Sequence, residues 1–416
     1  MSDKVYVYSV GMTKFGKFLD KSIKDLTGQA LKSLKNDGEI GFDELEAAWF
    51  SNAAWGMYEF QHSIRGQVAL SANKIDKIPI INVENACASG STAFHGAWMA
   101  IKSGLYDCVL AVGAEKIYQE DRKKMMRGFI TYTDVERTRQ LMEQLKQMAE
   151  KAKAKKVSEG GTEEKESKKG DHSAFMDLYA MAARNHMKKY GTTKRQLAVV
   201  AAKNHNNSTL NPLAQYIFPL TVEEAMEDYE VSYPLTRSMC APVGDGAAAA
   251  ILCSEKFLKE HPTDRAVLIR ASVLRSGSWR TDDVAKRASK AVYEMANGIG
   301  PQDINVAEVH DATAFGEIHQ IEQMGFCPIG QGGPFTESGA TALDGIIPVN
   351  PSGGLLSRGH PIGASGLAQL YELVVQLRGE AGERQVKNPR FALAENGGGN
   401  IGFGEAALCV HILEKV

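Results

Sequence analysis

The sequence predicts an α/β protein made of two related halves, with a charged helical segment inserted into the first. Three observations carry this reading. Apolar strand-like runs alternate with helical stretches over the first 118 residues, a dense run of charge then breaks that rhythm, and two short patterns recur in the same order later in the chain.

The elements follow in order. Val5–Val10 reads as a strand and Ser22–Leu34 as an amphipathic helix. Leu45–Phe50 and Ile78–Glu84 read as short buried strands, Ala86–Lys102 as a helix ended by Gly104, and Cys108–Ala114 as a strand. Strand–helix–strand alternation of this kind predicts a largely parallel sheet. From Arg122 to Asp171 the chain is rich in Lys, Arg and Glu, with a helical stretch Arg137–Lys156 and a polar, Gly-containing piece Val157–Gly170. Little apolar content there implies a solvated excursion, either a bare insertion or a lid or docking arm for substrate or partner. Two more helices, Asp171–Tyr190 and Thr193–Asn204, precede a return to the sheet pattern at Gly244–Cys253.

The repeats are faint but ordered. Cys87-Ala-Ser-Gly opens a helix closed at Gly104, and Gly363-Ala-Ser-Gly opens one closed at Gly379. The strand at Gly244–Glu255 is echoed by Gly402–Cys409. Two echoes in one order imply a duplication, with halves at 1–258 and 263–416. The expected domains are residues 1–118 with 237–258, an inserted domain at 119–236, and a second half at 263–416.

Composition narrows the class. A chain of 416 residues with a net charge of −2 is large enough for a substantial core and lacks the basic excess of a nucleic-acid binder. No apolar run has membrane-span length, and the first residues lack a signal core, so a cytoplasmic protein is expected. None of the six cysteines forms a CxxC pair, and no metal site is expected. The 40 glycines gather in the last third.

Four places carry candidate chemistry. Cys87 lies between a strand and a Gly/Ser/Ala-rich helix, where free N–H groups and the helix dipole favour a thiolate nucleophile. His360, between Gly359 and Pro361, precedes the helix that the duplication pairs with the first, so it is expected to meet Cys87 as its base. His310, in Val309–Glu317, is placed to donate to a carbonyl oxygen that gains charge, with Asp311 or Glu317 to orient it. The run Ala394–Gly402 lets backbone N–H groups converge on an oxyanion, and no phosphate-loop spacing of glycines before Lys occurs in it.

Together NACASGS at Cys87, HDATAF at His310, GGLLSRGHPIGASG at His360 and GGGNIGFGEAA near the C-terminus resemble the thiolase superfamily, over nearly the whole chain. The histidine in the third motif is similar to the sterol-carrier-type and archaeal-type branch. The resemblance implies a five-layered α/β/α/β/α fold, a CoA thioester substrate with CoA as second substrate, and no cofactor. It implies that Cys87 takes the acyl group, His360 activates it, and His310 holds the enolate oxygen. The N–H groups of Cys87 and of Gly397 or a neighbour such as Gly398 would hold the tetrahedral intermediate, with Asn350, Ser357 and Phe315 as further substrate or oxyanion-hole residues.

Two positions depart from the family. Where it carries a second, acid/base cysteine in the terminal motif, this chain has Glu395, and where some members carry a cysteine after the His-Asp pair it has Ala312. Cys327 is the other cysteine near a motif in this half. Glu395 is thus the candidate acid/base, with His310, a partner or the substrate as alternatives. The departures point away from acetoacetyl-CoA synthesis and towards thiolysis of a bulky 3-oxoacyl-CoA. The divergent site and long charged arm are similar to the thiolase subunit of 2-benzoylsuccinyl-CoA thiolases. Members of this branch imply a homodimeric core and a small zinc-ribbon/OB-fold partner. The competing readings are a retro-aldolase acting on a β-hydroxyacyl-CoA and a non-catalytic scaffold subunit.

Overall fold

Strand β1 (Val5–Met12) shows how the sheet is built. Val5 and Val7 enter one core while Tyr6 and Tyr8 enter another. A bulge at Tyr8 then shifts the register, so that Val10 and Met12 rejoin the first core. The same two-faced burial recurs in β4 (Cys108–Glu115) and β7 (Gly246–Ser254), which is why these strands are continuous apolar runs. The computed structural model describes residues 4–140, 143–144, 147, 174–280, 283–402 and 404–416.

The remaining sheet strands are β2 (Ala47–Ser51), β3 (Ile80–Val83), β8 (Val267–Ser276), β9 (Val306–Glu308), β10 (Phe391–Ile401) and β11 (Gly404–Lys415), with β5 (Glu230–Ser232) and β6 (Leu235–Thr236) forming a separate hairpin. The nine-stranded order is β3-β2-β4-β7-β1-β8-β11-β10-β9. The duplication is visible in it. The first half runs β3-β2-β4-β7-β1, and the second runs outward to inward as β9-β10-β11-β8, with the parallel bridge Ala307–Val349 standing where β3 stands in the first. The halves join where Tyr6 and Val7 pair with Leu268 and Val267.

The expectation of a largely parallel sheet is corrected. Parallel pairing is confined to β3-β2-β4 and β9-β10, while β4-β7, β7-β1, β1-β8, β8-β11 and β11-β10 are antiparallel. The last strand of each half enters beside its predecessor from the opposite end; in the second half a tight turn at Gly402 (φ 64°) makes β10 and β11 a hairpin.

Layers follow from burial. Helix Ile23–Asp37, capped by a Ser22–Asp25 capping box, presents Ile23, Leu26, Ala30, Leu31 and Leu34 to the outer face of the first half-sheet. Helix Val284–Ala296 covers the outer face of the second. Helices Ser89–Lys102 and Ser365–Arg378 lie between the half-sheets, in a core containing Phe94, Leu367, Leu370 and Val374. They touch through glycines: a Cβ on Gly366 would stand 2.2 Å from Ser91 Oγ, and one on Gly90 3.1 Å from the Gly363 carbonyl. This is the five-layered arrangement.

The inserted region contributes helices Ala174–Tyr190, Lys194–Ser208 and Val222–Glu227. Of the helical stretch expected at 137–156, residues 137–140 are helical and most of the rest lies outside the described residues, as does all of 157–170.

Candidate active site

The Cys87 turn is built by its neighbours. After β3, Glu84 Oε1 accepts from Ala86 N at 2.7 Å, and Ser89 Oγ donates to the Ala86 carbonyl (2.6 Å) while accepting from Asn85 N (2.8 Å). Ala86 sits at φ 49°, a left-handed conformation costing roughly 1–2 kcal/mol for a non-glycine residue. That residue cannot continue a helix, so the helix expected from Ala86 begins at Ser89, and Cys87 stands just ahead of it. Strand β10 presses against the turn. A Cβ on Gly398 would lie 2.2 Å from the Asn85 carbonyl and 2.3 Å from Ala88 N, so only glycine fits there.

His360 meets Cys87 as the duplication implied. Its Nε2 is 3.2 Å from the Cys87 sulfur, and its Nδ1 is 2.7 Å from Ser365 Oγ. Ser365 Oγ donates its own proton to the Pro361 carbonyl at 2.9 Å, so it accepts from His360. The ring therefore carries its proton on Nδ1 and turns a lone pair on Nε2 towards the thiol, the tautomer a base requires.

His310 completes the cluster. One ring nitrogen of each histidine and the Cys87 sulfur all lie within 4.8 Å of one another, with the two rings edge to face at 5.3 Å. Asn396 Nδ2 is 3.1 Å from His310 Nδ1, and as the donor it leaves the proton on Nε2. The orienting roles expected of Asp311 and Glu317 are corrected. Asp311 accepts from Leu355 N, Leu356 N and Asn204 Nδ2 and so braces the turn before His360, while Glu317 pairs with Lys203 at 2.9 Å and accepts from Asn204 and Asn350.

The electrostatics correct the expected thiolate. Burial pushes the Cys87 thiol up to about 12, although N–H groups of Gly399 and of Cys87 itself pull the other way. Burial also depresses His310 to about 4, and burial, His310 and Arg358 hold His360 well below its usual value. The resting pair is a neutral thiol beside a neutral imidazole, because desolvation outweighs what one turn of N–H groups supplies.

A cavity of about 80 Å³ opens on this cluster, lined by Ile117, Phe129, Tyr132, Phe175, Met176 and Tyr179 together with Cys87, His310, His360, Gly397, Gly398, Gly399 and Glu405. Phe315 lines an adjoining cavity that shares Phe175, Tyr179, His310, Gly399 and Glu405. Asn350 and Ser357 lie in the interior instead: Asn350 bonds Val309 N and Glu317, and Ser357 bonds Ser208. Glu395 is fully buried outside the cavity lining, its Oε2 accepting from His310 N at 2.8 Å. Cys327 is buried in the outer core of the second half. Gly399 belongs to the run Ala394–Gly402 expected to bind an oxyanion, whereas the orienting roles of Ser365 and Asn396 carry no sequence signal beyond their places in the GASG and ENGGG runs. The aromatic wall at 129–132 and 175–179 carries no motif at all.

Residues 5–256 match the family model described as thiolase, N-terminal domain, and residues 271–414 match thiolase C-terminal domain-like. The chain belongs to the thiolase family. It is 38% identical over 420 residues to an acetyl-CoA acetyltransferase of Methanothermobacter thermautotrophicus, covering 99% of each chain. It is 35% identical to bovine (Bos taurus) sterol carrier protein 2, covering 98% of this chain and 72% of that one. It is 32% identical to the benzoylsuccinyl-CoA thiolase subunit BbsB of Thauera aromatica, covering 95% of each. Among solved structures, the Ltp2-ChsH2(DUF35) aldolase superposes with a TM-score of 0.74 at 18% identity, covering 99% of this chain and 97% of that one. Human mitochondrial 3-ketoacyl-CoA thiolase superposes at 0.66 and 16% identity, covering 99% and 98%. These two share the fold. The protein is an acyltransferase of the thiolase type, and among the described residues no helix is long and apolar enough to cross a membrane.

Proposed function

We propose that this thiolase cleaves a bulky or aromatic 3-oxoacyl-CoA with free CoA, through an acyl group carried on Cys87. The reading rests on one observation above the others: His360 Nε2, in its lone-pair tautomer, 3.2 Å from the Cys87 sulfur on the floor of an aromatic cavity. His360 takes the thiol proton as sulfur attacks the 3-oxo carbon. The C2–C3 bond then breaks, an acyl-CoA with a protonated C2 leaves, and CoA attacks the thioester on Cys87. The N–H groups of Gly399 and Cys87 point at this sulfur and hold the tetrahedral oxyanion, while His310 Nε2–H holds the enolate oxygen.

The wall of Phe129, Tyr132, Phe175 and Tyr179 supports an aromatic acyl group, as does likeness to a relative named for benzoylsuccinyl-CoA. The retro-aldolase reading has a fold neighbour in its favour, but a thiol–base pair with a fixed tautomer has no use in that reaction. The intact pair argues equally against a scaffold role. A cytoplasmic homodimeric core with a small zinc-ribbon/OB-fold subunit completes the proposal; the relative named as a subunit and the DUF35-bearing neighbour support the partner.

The test is co-purification from the native source, followed by CoA-dependent cleavage of aliphatic and aromatic 3-oxoacyl-CoA compounds. Faster cleavage of aromatic substrates is expected. A preference for acetoacetyl-CoA would contradict the bulky-substrate reading.

A further inference from the structure

We propose that Glu405 is the acid/base residue that handles the α-carbon proton, in place of the absent second cysteine; this rests on the thiolytic reading above. Cleavage leaves an electron pair on C2, which needs a proton. CoA must later lose one from its thiol. A single group alternating between acid and base serves both steps.

Among the described residues lining the cavity at Cys87, the titratable side chains are Cys87, His310, His360, Tyr132, Tyr179 and Glu405. Cys87 and His360 are engaged with each other, and His310 receives the Asn396 amide and is committed to the enolate oxygen. Burial holds the phenols of Tyr132 and Tyr179 protonated far into the alkaline range, so neither alternates readily. Glu405 is the carboxylate of this set. Glu395 is not in it: it lies outside the lining, with Oε2 accepting from the His310 N–H.

The glycine run serves Glu405 as well as Cys87. Glu405 sits on β11 opposite Asn400 of β10, and a Cβ on Gly397 would stand 2.8 Å from Glu405 Cγ. An unsubstituted Gly397 thus lets the Glu405 side chain lie across β10 and reach the cavity. Gln320, itself buried, donates its Nε2 to Glu405 Oε1 at 3.0 Å and fixes the carboxyl. Glu405 also lines the adjoining cavity, so it stands where the two spaces meet, beside the substrate path.

The proton balance closes. In its acid form Glu405 gives its proton to C2 as the C2–C3 electron pair leaves C3. When the CoA thiol attacks the Cys87 thioester, the Glu405 carboxylate takes the S–H proton. The carbon–sulfur bond to Cys87 breaks, the departing sulfur recovers its proton from His360, and both groups are reset.

The test separates two half-reactions in the full chain, with E405Q and E395Q beside the parent. Acylation of Cys87 is read as a mass gain with benzoyl-CoA, which has no α-hydrogen, and with acetyl-CoA. α-Carbon chemistry is read as deuterium uptake from D2O into acetyl-, succinyl- and 3-phenylpropionyl-CoA. E405Q is expected to slow deuterium uptake by about 10²-fold or more while still becoming acylated, whereas E395Q, which acts only through the His310 backbone, is expected to change the two half-reactions by the same factor. E405Q exchange within about threefold of the parent overturns the proposal, as does loss of both half-reactions in an E405Q protein with parental thermal unfolding. Failure of the parent itself to acylate Cys87, or to exchange with any of the three thioesters, contradicts the thiolytic reading instead.

Discussion

His360 Nε2 faces the Cys87 sulfur at 3.2 Å because Ser365 holds the opposite ring nitrogen at 2.7 Å. The base is therefore set by a residue that never touches the substrate. Ser365→Ala removes that hold and leaves the tautomer free to exchange. It is expected to lower kcat by about tenfold, the worth of one hydrogen bond of roughly 1.4 kcal/mol, with little change in KM. Steady-state kinetics read this, and an unchanged kcat would show that Ser365 does not set the tautomer.

The thiol at rest is neutral, so its reactivity follows pH in a defined direction. With Cys87 raised to about 12, its iodoacetamide alkylation rate is expected to climb steadily from pH 7 to 10. A plateau already reached at pH 6–7 would reveal a thiolate–imidazolium pair and refute the neutral resting state.

His310 and Asn396 act in series. His310→Ala is expected to reduce kcat/KM by about 10²–10³-fold, the usual cost of removing an oxyanion donor. Asn396→Leu, which leaves the ring in place but removes the amide donor at 3.1 Å, is expected to cost about tenfold. Equal losses in both variants would contradict a positioning role for Asn396.

The two central helices are in contact at Gly366, where a Cβ would meet Ser91 Oγ at 2.2 Å and Ser91 N at 2.6 Å. Gly366→Ala is expected to destabilise the protein by about 1–3 kcal/mol, read by denaturant unfolding. A parental midpoint would mean that the helices separate without cost.

Much of this site was legible in the residues. Cys87 and His360 announced themselves through the duplicated Ala-Ser-Gly helix starts, and β1, β4 and β7 through continuous apolar runs. The parallel sheet failed because strand direction depends on how the chain re-enters after the insertion, which β7 does antiparallel between β4 and β1. The thiolate failed because a helix start is visible in sequence whereas desolvation is not. Glu395 aligned with the missing cysteine by spacing, yet it lies in β10 and turns to the His310 backbone. Glu405 had no spacing to mark it, because a cross-strand path over Gly397 exists only once β10 and β11 pair.

Covalent chemistry at Cys87 is what the proposed thiolysis requires first. Acid-quenched protein, mixed with a 3-oxoacyl-CoA in the absence of CoA, is to be weighed intact and mapped by peptide mass spectrometry. One acyl group on Cys87, released by added CoA and absent from Cys87→Ala, is the expected result. Near-parental turnover by Cys87→Ala, with no acyl group on the parent enzyme, would contradict it.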